Sequence, residues 1–179
     1  MINVEAPVSF APKTFKTELQ KLAYESLAAL KIPFTRVDTD EAITMQDCEH
    51  INEKLGVKTV KSLFLCNRQK TCFYLFITTA QKAFCTKAFG AALGIARVSF
   101  APAELLYEIL GVHVGATTIF GLLRDTQNKV QLVVDNDILR EEYFGCSDST
   151  TTCYMKFETK MLVEDLIPYT KHEAKFIDI

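Results

Sequence analysis

The sequence lacks long apolar runs: none approaches the roughly 20 residues that a membrane-spanning helix needs. We therefore expect no membrane partner. Residues 1–7 have neither the basic nor the apolar region of a signal peptide, which predicts a cytoplasmic protein. No repeat, low-complexity segment or linker divides the 179 residues, so one domain over 1–179 is expected.

Motifs for metal and nucleophile chemistry are also missing. The six cysteines form no Cys-x-x-Cys pair and no zinc-finger spacing with histidine, so reduced thiols without a metal are expected. The three histidines accompany no Gly-x-Ser-x-Gly or similar nucleophile motif, which argues against a Ser-His-Asp triad. Asp135 and Asp137 follow a predicted strand without other ligands nearby, so they are expected to cap a turn.

Charge is unevenly distributed along the chain. Residues 1–100 carry 13 Lys and Arg against 9 Asp and Glu, whereas residues 101–179 carry 7 against 13. Such a basic half suits a local phosphate contact better than a long nucleic-acid groove, and an ordinary solvated surface is the alternative interpretation. No predicted helix has the dense Lys and Arg pattern of a groove reader, so DNA is not an expected partner.

A short apolar stretch follows Lys61. Apolar residues occupy 63–65 and resume at 72–77, and the polar stretch 66–71 between them has the length of a hairpin loop. Lys61 thus lies where a strand enters the core, and must either reach water or meet an anionic partner. A solvated strand-end lysine and an anion-binding lysine both fit this pattern.

Hydrophobic periodicity and turn residues predict the remaining elements. Helices are predicted over 14–31, 45–55, 102–110 and 162–169, a helix or loop over 79–93, a helical turn over 137–142, and strands over 34–37, 96–100, 118–123, 130–134 and 151–157. Thr44 is the expected cap of the second helix. Strand pairs joined by short turns, with helices between them, favour an α+β fold over a repeating βαβ fold.

Three glycines follow the helix predicted at 102–110: Gly111, Gly115 and Gly121. Glycine allows close backbone approach to a ligand and exposes N–H groups to phosphate or carboxylate oxygens. The spacing matches neither the P-loop nor the dinucleotide fingerprint. A plain helix stop followed by a turn is the alternative interpretation.

Five motifs occur in an order typical of one known family. They lie at 61–65 (Lys-Ser-Leu-Phe-Leu), 100–106, 110–115, 120–125 and 133–139. On these motifs the chain resembles the YbaK and prolyl-tRNA-synthetase-associated editing domains, and within them the free-standing PrdX (ProXp-ala) branch. The resemblance covers residues 14–169.

The resemblance implies a mixed, mostly antiparallel, curved sheet flanked by helices. It implies a metal-independent, cofactor-free hydrolase that removes wrongly attached amino acids from tRNA, most typically alanine from proline tRNA. The expected partners are the acceptor end of the mischarged tRNA and prolyl-tRNA synthetase. By the same resemblance Lys61 holds the tRNA 3′ end and the scissile ester, and Gly111 and Gly115 belong to the catalytic loop.

Substrate-binding candidates come from the resemblance and from the composition of the loop. They are Thr44, Ser62, Val112, His113, Val114, Phe120, Gly121 and Ser147. The glycines would allow the backbone to approach the substrate closely. The valines and Phe120 would supply apolar walls that favour a small side chain such as alanine. His113 is expected either to be exposed or to take a catalytic part within the loop.

The chain departs from the family pattern at three of these positions. Ser62 replaces an asparagine, Val114 replaces a proline, and Ser147 replaces a histidine. A serine hydroxyl can hydrogen-bond a substrate but cannot titrate near neutral pH. Two alternatives therefore accompany the deacylase hypothesis: a non-catalytic module that binds tRNA or synthetase, and a deacylase that prefers seryl-, threonyl- or cysteinyl-tRNA.

Overall fold

The computed structural model describes residues 2–42 and 45–179, and of Met45 and Gln46 only the backbone. The predicted role of Thr44 therefore lies outside the described residues. The main helices are α1 (Glu18–Ala29), α2 (Met45–Leu55), α3 (Thr86–Leu93) and α4 (Ala103–Leu110). The strands are β1 (Thr35–Asp38), β2 (Val60–Cys66), β3 (Phe73–Thr79), β4 (Ser99–Phe100), β5 (Val130–Asp135), β6 (Tyr143–Ser147), β7 (Cys153–Glu158) and β8 (Ala174–Ile177).

Three further segments are helical. Two short 3-10 helices occupy Ile119–Leu123 and Asn136–Arg140. Near the C-terminus, one continuous helical segment begins as an α-helix at Thr159–Met161, becomes a π-helix over Leu162–Leu166 and ends at Ile167–Tyr169.

The strands form two sheets. One has the order β1-β7-β6 and the other the order β4-β2-β3-β5-β8. Pairing is antiparallel except between β3 and β5 and between β5 and β8, which run parallel. An isolated bridge between Thr59 and Gly145 connects the two sheets. This mixed and mostly antiparallel arrangement with flanking helices confirms the predicted α+β fold.

Helix ends follow the local capping chemistry. Helix α1 begins later than predicted because Thr17 is its N-cap, with Thr17 Oγ1 accepting the N–H of Gln20 at 3.0 Å. Helix α4 ends at Gly111, which adopts the left-handed conformation at φ 70° as glycine readily does. Asp135 accepts the N–H of Asp137 at 3.0 Å and caps the second 3-10 helix, which confirms the predicted turn cap.

The predicted hairpin is confirmed, with Lys61 opposite Thr78 in the β2–β3 pair. Because side chains alternate along a strand, β2 contributes to two cores. Phe64 and Cys66 join the main core, which also holds residues of both sheets, α1 and α4. Lys61, Leu63 and Leu65 point to the opposite face, where Leu65 packs in a second core with Phe89 of α3.

The strand predicted over 118–123 is wrong, because Ile119–Leu123 forms a 3-10 helix. Ile119, Phe120 and Leu122 are all buried, and a short apolar run does not distinguish a buried strand from a buried helical turn. Thr118 Oγ1 fixes the start of this turn by donating to Ser147 O at 2.7 Å.

A buried acid–histidine pair stabilises the region beside β5. Asp125 Oδ2 lies 2.9 Å from His172 Nε2, and the two side chains are almost fully buried. The same carboxylate accepts the N–H groups of Lys129 and Val130. His172 precedes β8, so this pair helps to hold the last strand against β5.

Candidate functional site

A cavity of about 740 Å³ opens where β2 begins and β3 ends. Helix α2, the 3-10 helix Asn136–Arg140 and the start of β6 complete its wall. Its charged lining combines three carboxylates with two cations: Glu49, Asp137, Glu141, Lys58 and Arg140. The cavity wall therefore carries charges of both signs, with one more carboxylate than cation.

Asn52 fixes one side of this cavity. Its Oδ1 accepts both the backbone N–H and the hydroxyl of Thr59, each at 2.8 Å. Thr59 in turn bridges to Gly145 of β6. The Asn52 side chain therefore holds α2 to the residue before β2, and the backbone bridge of Thr59 links that residue to β6.

Lys61 lies immediately after this wall, on the face of β2 opposite to Val60. Its ammonium donates a hydrogen bond to the backbone carbonyl of Lys82. Partial burial lowers the pKa of Lys61, since the charged form loses part of its hydration. Lys61 is thus neither a freely solvated surface lysine nor a fully buried one.

Lys82 belongs to a compact ionic group at the same end of the sheet. Its ammonium lies 2.6 Å from Asp135 Oδ2 and 2.8 Å from Asp137 Oδ2. The Thr78 hydroxyl donates to Asp135 Oδ2 at 2.6 Å. We call Lys61, Thr78, Lys82, Asp135 and Asp137 the Lys61 cluster. Asp137 also lines the cavity, so the Lys61 cluster adjoins it.

The ionic pair keeps both partners charged. Burial alone would raise the pKa of Asp135, but hydrogen bonds from Lys82 and Thr78 outweigh it, and the pKa is lowered. Burial likewise opposes charge on Lys82, yet its bonds to Asp135 and Asp137 raise its pKa. Asp135 is 1 % exposed, so this pair is a fixed part of the site.

The glycine loop, residues 111–115, has the backbone that its glycines predict. Gly111 and Gly115 have φ of 70° and 92°, where other residues are strained. A Cβ on Gly111 would also lie 2.4 Å from Arg124 Cδ. The backbone conformation therefore favours glycine at both positions, whether or not the loop contacts a substrate, and a Cβ on Gly111 would displace the Arg124 side chain.

Side chains of the glycine loop and of the turn that follows do not line the 740 Å³ cavity. Val112 is buried in the main core, and Phe120 has no exposed surface. His113 stacks on Tyr107 with ring centroids 4.8 Å apart, and Val114 is 65 % exposed. Val112 thus lies in the core on the face of β2 opposite to Lys61, and the roles assigned to loop residues stay predictions.

The two serines that depart from the family pattern lie in different settings. Ser147 is buried at the end of β6, where its hydroxyl donates to Thr150 O at 2.6 Å and accepts the N–H of Ser149. Ser62 is partly exposed on the same side of β2 as Val60, which lines the cavity. Gly121 is buried against Leu110 of α4. None of these three residues lines the cavity.

Sequence reasoning missed the roles of Asn52 and Lys82. Lys82 lies in an irregular segment after β3, and no local pattern marks it. Its partner Asp135 was recognised as a turn cap, but the ion pair depends on the parallel pairing of β3 with β5. The sequence offers one signal for this ion pair, namely that the Asp135 carboxylate directly follows a predicted buried strand.

No group of three or more His, Cys, Asp or Glu side chains arranged to hold a metal occurs within residues 2–42 and 45–179. In the same part of the chain, no helix combines the length and apolarity needed to cross a membrane.

Comparison with known proteins gives a family match. Residues 39–162 match the model of the aminoacyl-tRNA editing domain. The prolyl-tRNA editing protein ProX of Acetoanaerobium sticklandii is 26 % identical over 134 residues, covering 74 % of this chain and 82 % of that protein. Prolyl-tRNA synthetase associated domain-containing protein 1 of Danio rerio is 29 % identical over 141 residues, 77 % of this chain and 76 % of its own length.

Solved structures share the fold at low sequence identity. A candidate trans-editing enzyme for prolyl tRNA synthetase superposes with a TM-score of 0.65 at 14 % identity, covering 92 % of this chain and 99 % of its own. The hypothetical protein APE2540 gives a TM-score of 0.66 at 18 % identity, covering 87 % and 98 % of the two chains. These likenesses concern the fold alone.

Proposed function

Because this chain belongs to the aminoacyl-tRNA editing domain family, we propose that it is a trans-editing hydrolase that removes wrongly attached amino acids from tRNA. The observation that carries this proposal is the family match over 39–162, which contains Lys61 and every residue that lines the cavity. The names of the two relatives favour proline tRNA as the carrier.

The reaction is hydrolysis of an activated ester. A water oxygen bonds to the carbonyl carbon, and the ester C–O bond breaks. One proton of the water passes to the departing ribose oxygen of the tRNA, and the other is released from the carboxyl group of the amino acid. The site need only orient the water and stabilise the oxyanion. A protonated lysine has three N–H donors, and the carbonyl of Lys82 takes one from Lys61. The other donors of Lys61 can hold the ester or its oxyanion.

We propose alanyl-tRNA(Pro) as the preferred substrate. A synthetase rejects a smaller apolar side chain by only about 1–3 kcal/mol per methylene, so alanine is a recurrent error for a proline pocket that a second site must remove. A preference for seryl- or threonyl-tRNA would need hydroxyl recognition. The Ser147 hydroxyl is already engaged within its own turn, and Ser62 does not line the cavity, so neither serine favours such recognition there.

A panel of aminoacylated tRNAs tests this proposal. The full chain is incubated with alanyl-, seryl-, threonyl-, cysteinyl- and prolyl-tRNA, and loss of each ester is followed against tRNA alone. Fastest loss of alanine from proline tRNA is the expected result. Ester loss at the spontaneous rate for every member, with retained tRNA binding, would instead support the non-catalytic binding module that the departures at Ser62 and Ser147 suggest.

Binding of tRNA is expected to depend weakly on salt. Lys58 and Arg140 are the cations in the cavity wall, and neutralising about two single-stranded phosphates gives a slope of log K against log[salt] near −1.4. Fluorescence anisotropy with an acceptor-stem minihelix at several salt concentrations measures this slope. Lys58→Ala should flatten it, whereas Lys21→Ala, on the exposed side of α1, should not. A slope several times steeper would contradict contact limited to the acceptor end.

The proposed location of the chain and its proposed protein partner follow from the substrate. Mischarged tRNA is produced by prolyl-tRNA synthetase, so we infer that the chain acts in the cytoplasm on tRNA released by that enzyme. Direct association with the synthetase is a further expectation, which analytical ultracentrifugation of the two purified proteins would measure.

A further inference from the structure

The carbonyl that accepts the Lys61 hydrogen bond belongs to an irregular segment, residues 80–85, between β3 and α3. A backbone carbonyl in such a segment holds a fixed position only if the segment itself is anchored. Ala80 and Gln81 of this segment also line the cavity. The position of the Lys61 ammonium therefore depends on what anchors residues 80–85.

The Lys82 side chain is one of its anchors, beside the bond from the Lys82 N–H to Thr79 O at 3.2 Å and the packing of Phe84 in the second core. It runs from the irregular segment to Asp135 Oδ2 at 2.6 Å and Asp137 Oδ2 at 2.8 Å. Asp135 is itself held at the end of β5 by the Thr78 hydroxyl and by the N–H of Asp137. Because β5 pairs along its length with β3, the carboxylate is fixed to the same sheet that carries Lys61.

We propose that the ion pair between Asp135 and Lys82 positions Lys61 for deacylation, an inference that rests on the proposed function. Asp135 and Lys82 are then positioning residues: they hold the carbonyl that orients the Lys61 ammonium and need not contact the substrate. The charged side chain of Lys82 forms the ion pair, while the backbone carbonyl of Lys82 accepts the hydrogen bond from Lys61. The opposing hypothesis is that the pair serves stability alone.

Asp135→Asn tests the link, with Asp125→Asn as a matched control. Both aspartates are almost fully buried, bond a cationic or histidine side chain and accept backbone N–H groups. Only Asp135 belongs to the Lys61 cluster. Misplacement of a reacting group by about 1 Å can cost up to 100-fold, so we expect kcat for alanyl-tRNA(Pro) to fall about 10- to 100-fold in Asp135→Asn. KM should change little, and Asp125→Asn should keep the parental kcat.

A second readout separates this inference from the proposed function. In protein made with isotope-labelled lysine, the Lys61 side-chain NMR signal is assigned by its loss in Lys61→Arg. Asp135→Asn should move this signal toward those of exposed lysines, and Asp125→Asn should leave it in place. The signal reports the position of Lys61 even if the parent protein hydrolyses no ester. In that case the proposed function fails, but the NMR result still decides whether the Asp135–Lys82 pair positions Lys61.

Lys82 provides the remaining variants. Its side chain is 24 % exposed, so Lys82→Met should fold even if Asp135→Asn does not, and it should shift the Lys61 signal and lower kcat in the same way. Lys82→Arg keeps the positive charge, so it should retain most of the parental kcat and most of the parental position of the Lys61 signal. An unchanged Lys61 signal in the variants that break the pair, or an equal loss of kcat in Asp125→Asn, would overturn the proposal in favour of a stability role.

Discussion

Lys61→Ala is expected to lower kcat for deacylation of alanyl-tRNA(Pro) about 100- to 1000-fold, the usual cost of removing one donor that stabilises an oxyanion. Lys61 contributes a cation whose surroundings are partly desolvated, and electrostatic stabilisation is stronger where water is partly excluded. Single-turnover hydrolysis with saturating enzyme measures this loss without interference from product release.

Folding should be nearly unaffected by this change, because Lys61 is only partly buried and its ammonium bonds a backbone carbonyl at the end of the sheet. A thermal melt of Lys61→Ala therefore serves as the folding control, and Lys21→Ala serves as the control for loss of a positive charge. Parental rates in a well-folded Lys61→Ala protein would refute the assignment of Lys61 to the reaction.

Asp148→Ala is expected to destabilise the fold by roughly 3–5 kcal/mol, because each buried donor left without its acceptor costs about 1–3 kcal/mol. Asp148 is fully buried in the turn between β6 and β7. Its carboxylate accepts Gln20 Nε2 at 2.8 Å, the Tyr24 hydroxyl at 2.9 Å and the Thr150 hydroxyl at 2.7 Å. Alanine would leave these donors buried without an acceptor, which costs more than the bonds themselves contribute.

Urea unfolding measures this effect as a lower midpoint with an unchanged slope. Asp40→Ala is a suitable control, because Asp40 accepts a backbone N–H from Asn3 at an exposed position. Equal midpoints for Asp148→Ala and the parent would contradict a structural role for this network. The same network explains why Ser147 lies in a rigid turn: its neighbour Asp148 attaches the turn to α1.

Local sequence patterns predicted the elements whose contacts are local. Helix α1 follows from its apolar periodicity, and the β2–β3 hairpin follows from two apolar runs flanking a short polar loop. Gly111 was recognised as a helix stop because the left-handed end of a helix favours glycine. In each case the atoms that decide the conformation are close together in sequence.

Strand β6 is missed although its antiparallel partner β7 follows after a short turn, whereas β8 is missed because its partner is distant. Strand β8 is stabilised by parallel pairing with β5, a partner distant in sequence, and its own residues are largely exposed. The segment 118–123 was assigned as a strand because apolar residues are frequent there, yet packing against α1 and the Thr118 bond to Ser147 favour a 3-10 turn. Tertiary contacts therefore decided β8 and the segment 118–123.

For the site, the sequence by itself determined the family, the candidate lysine and the glycine positions, because each of these is carried by a short motif. The tertiary structure decided which of these residues lie together. Alternation along β2 puts Lys61 on the face opposite to the core that contains Val112, while the parallel β3–β5 pair brings Asp135 to Lys82. Side-chain direction and long-range strand register are properties of the assembled sheet, so no local motif encodes them.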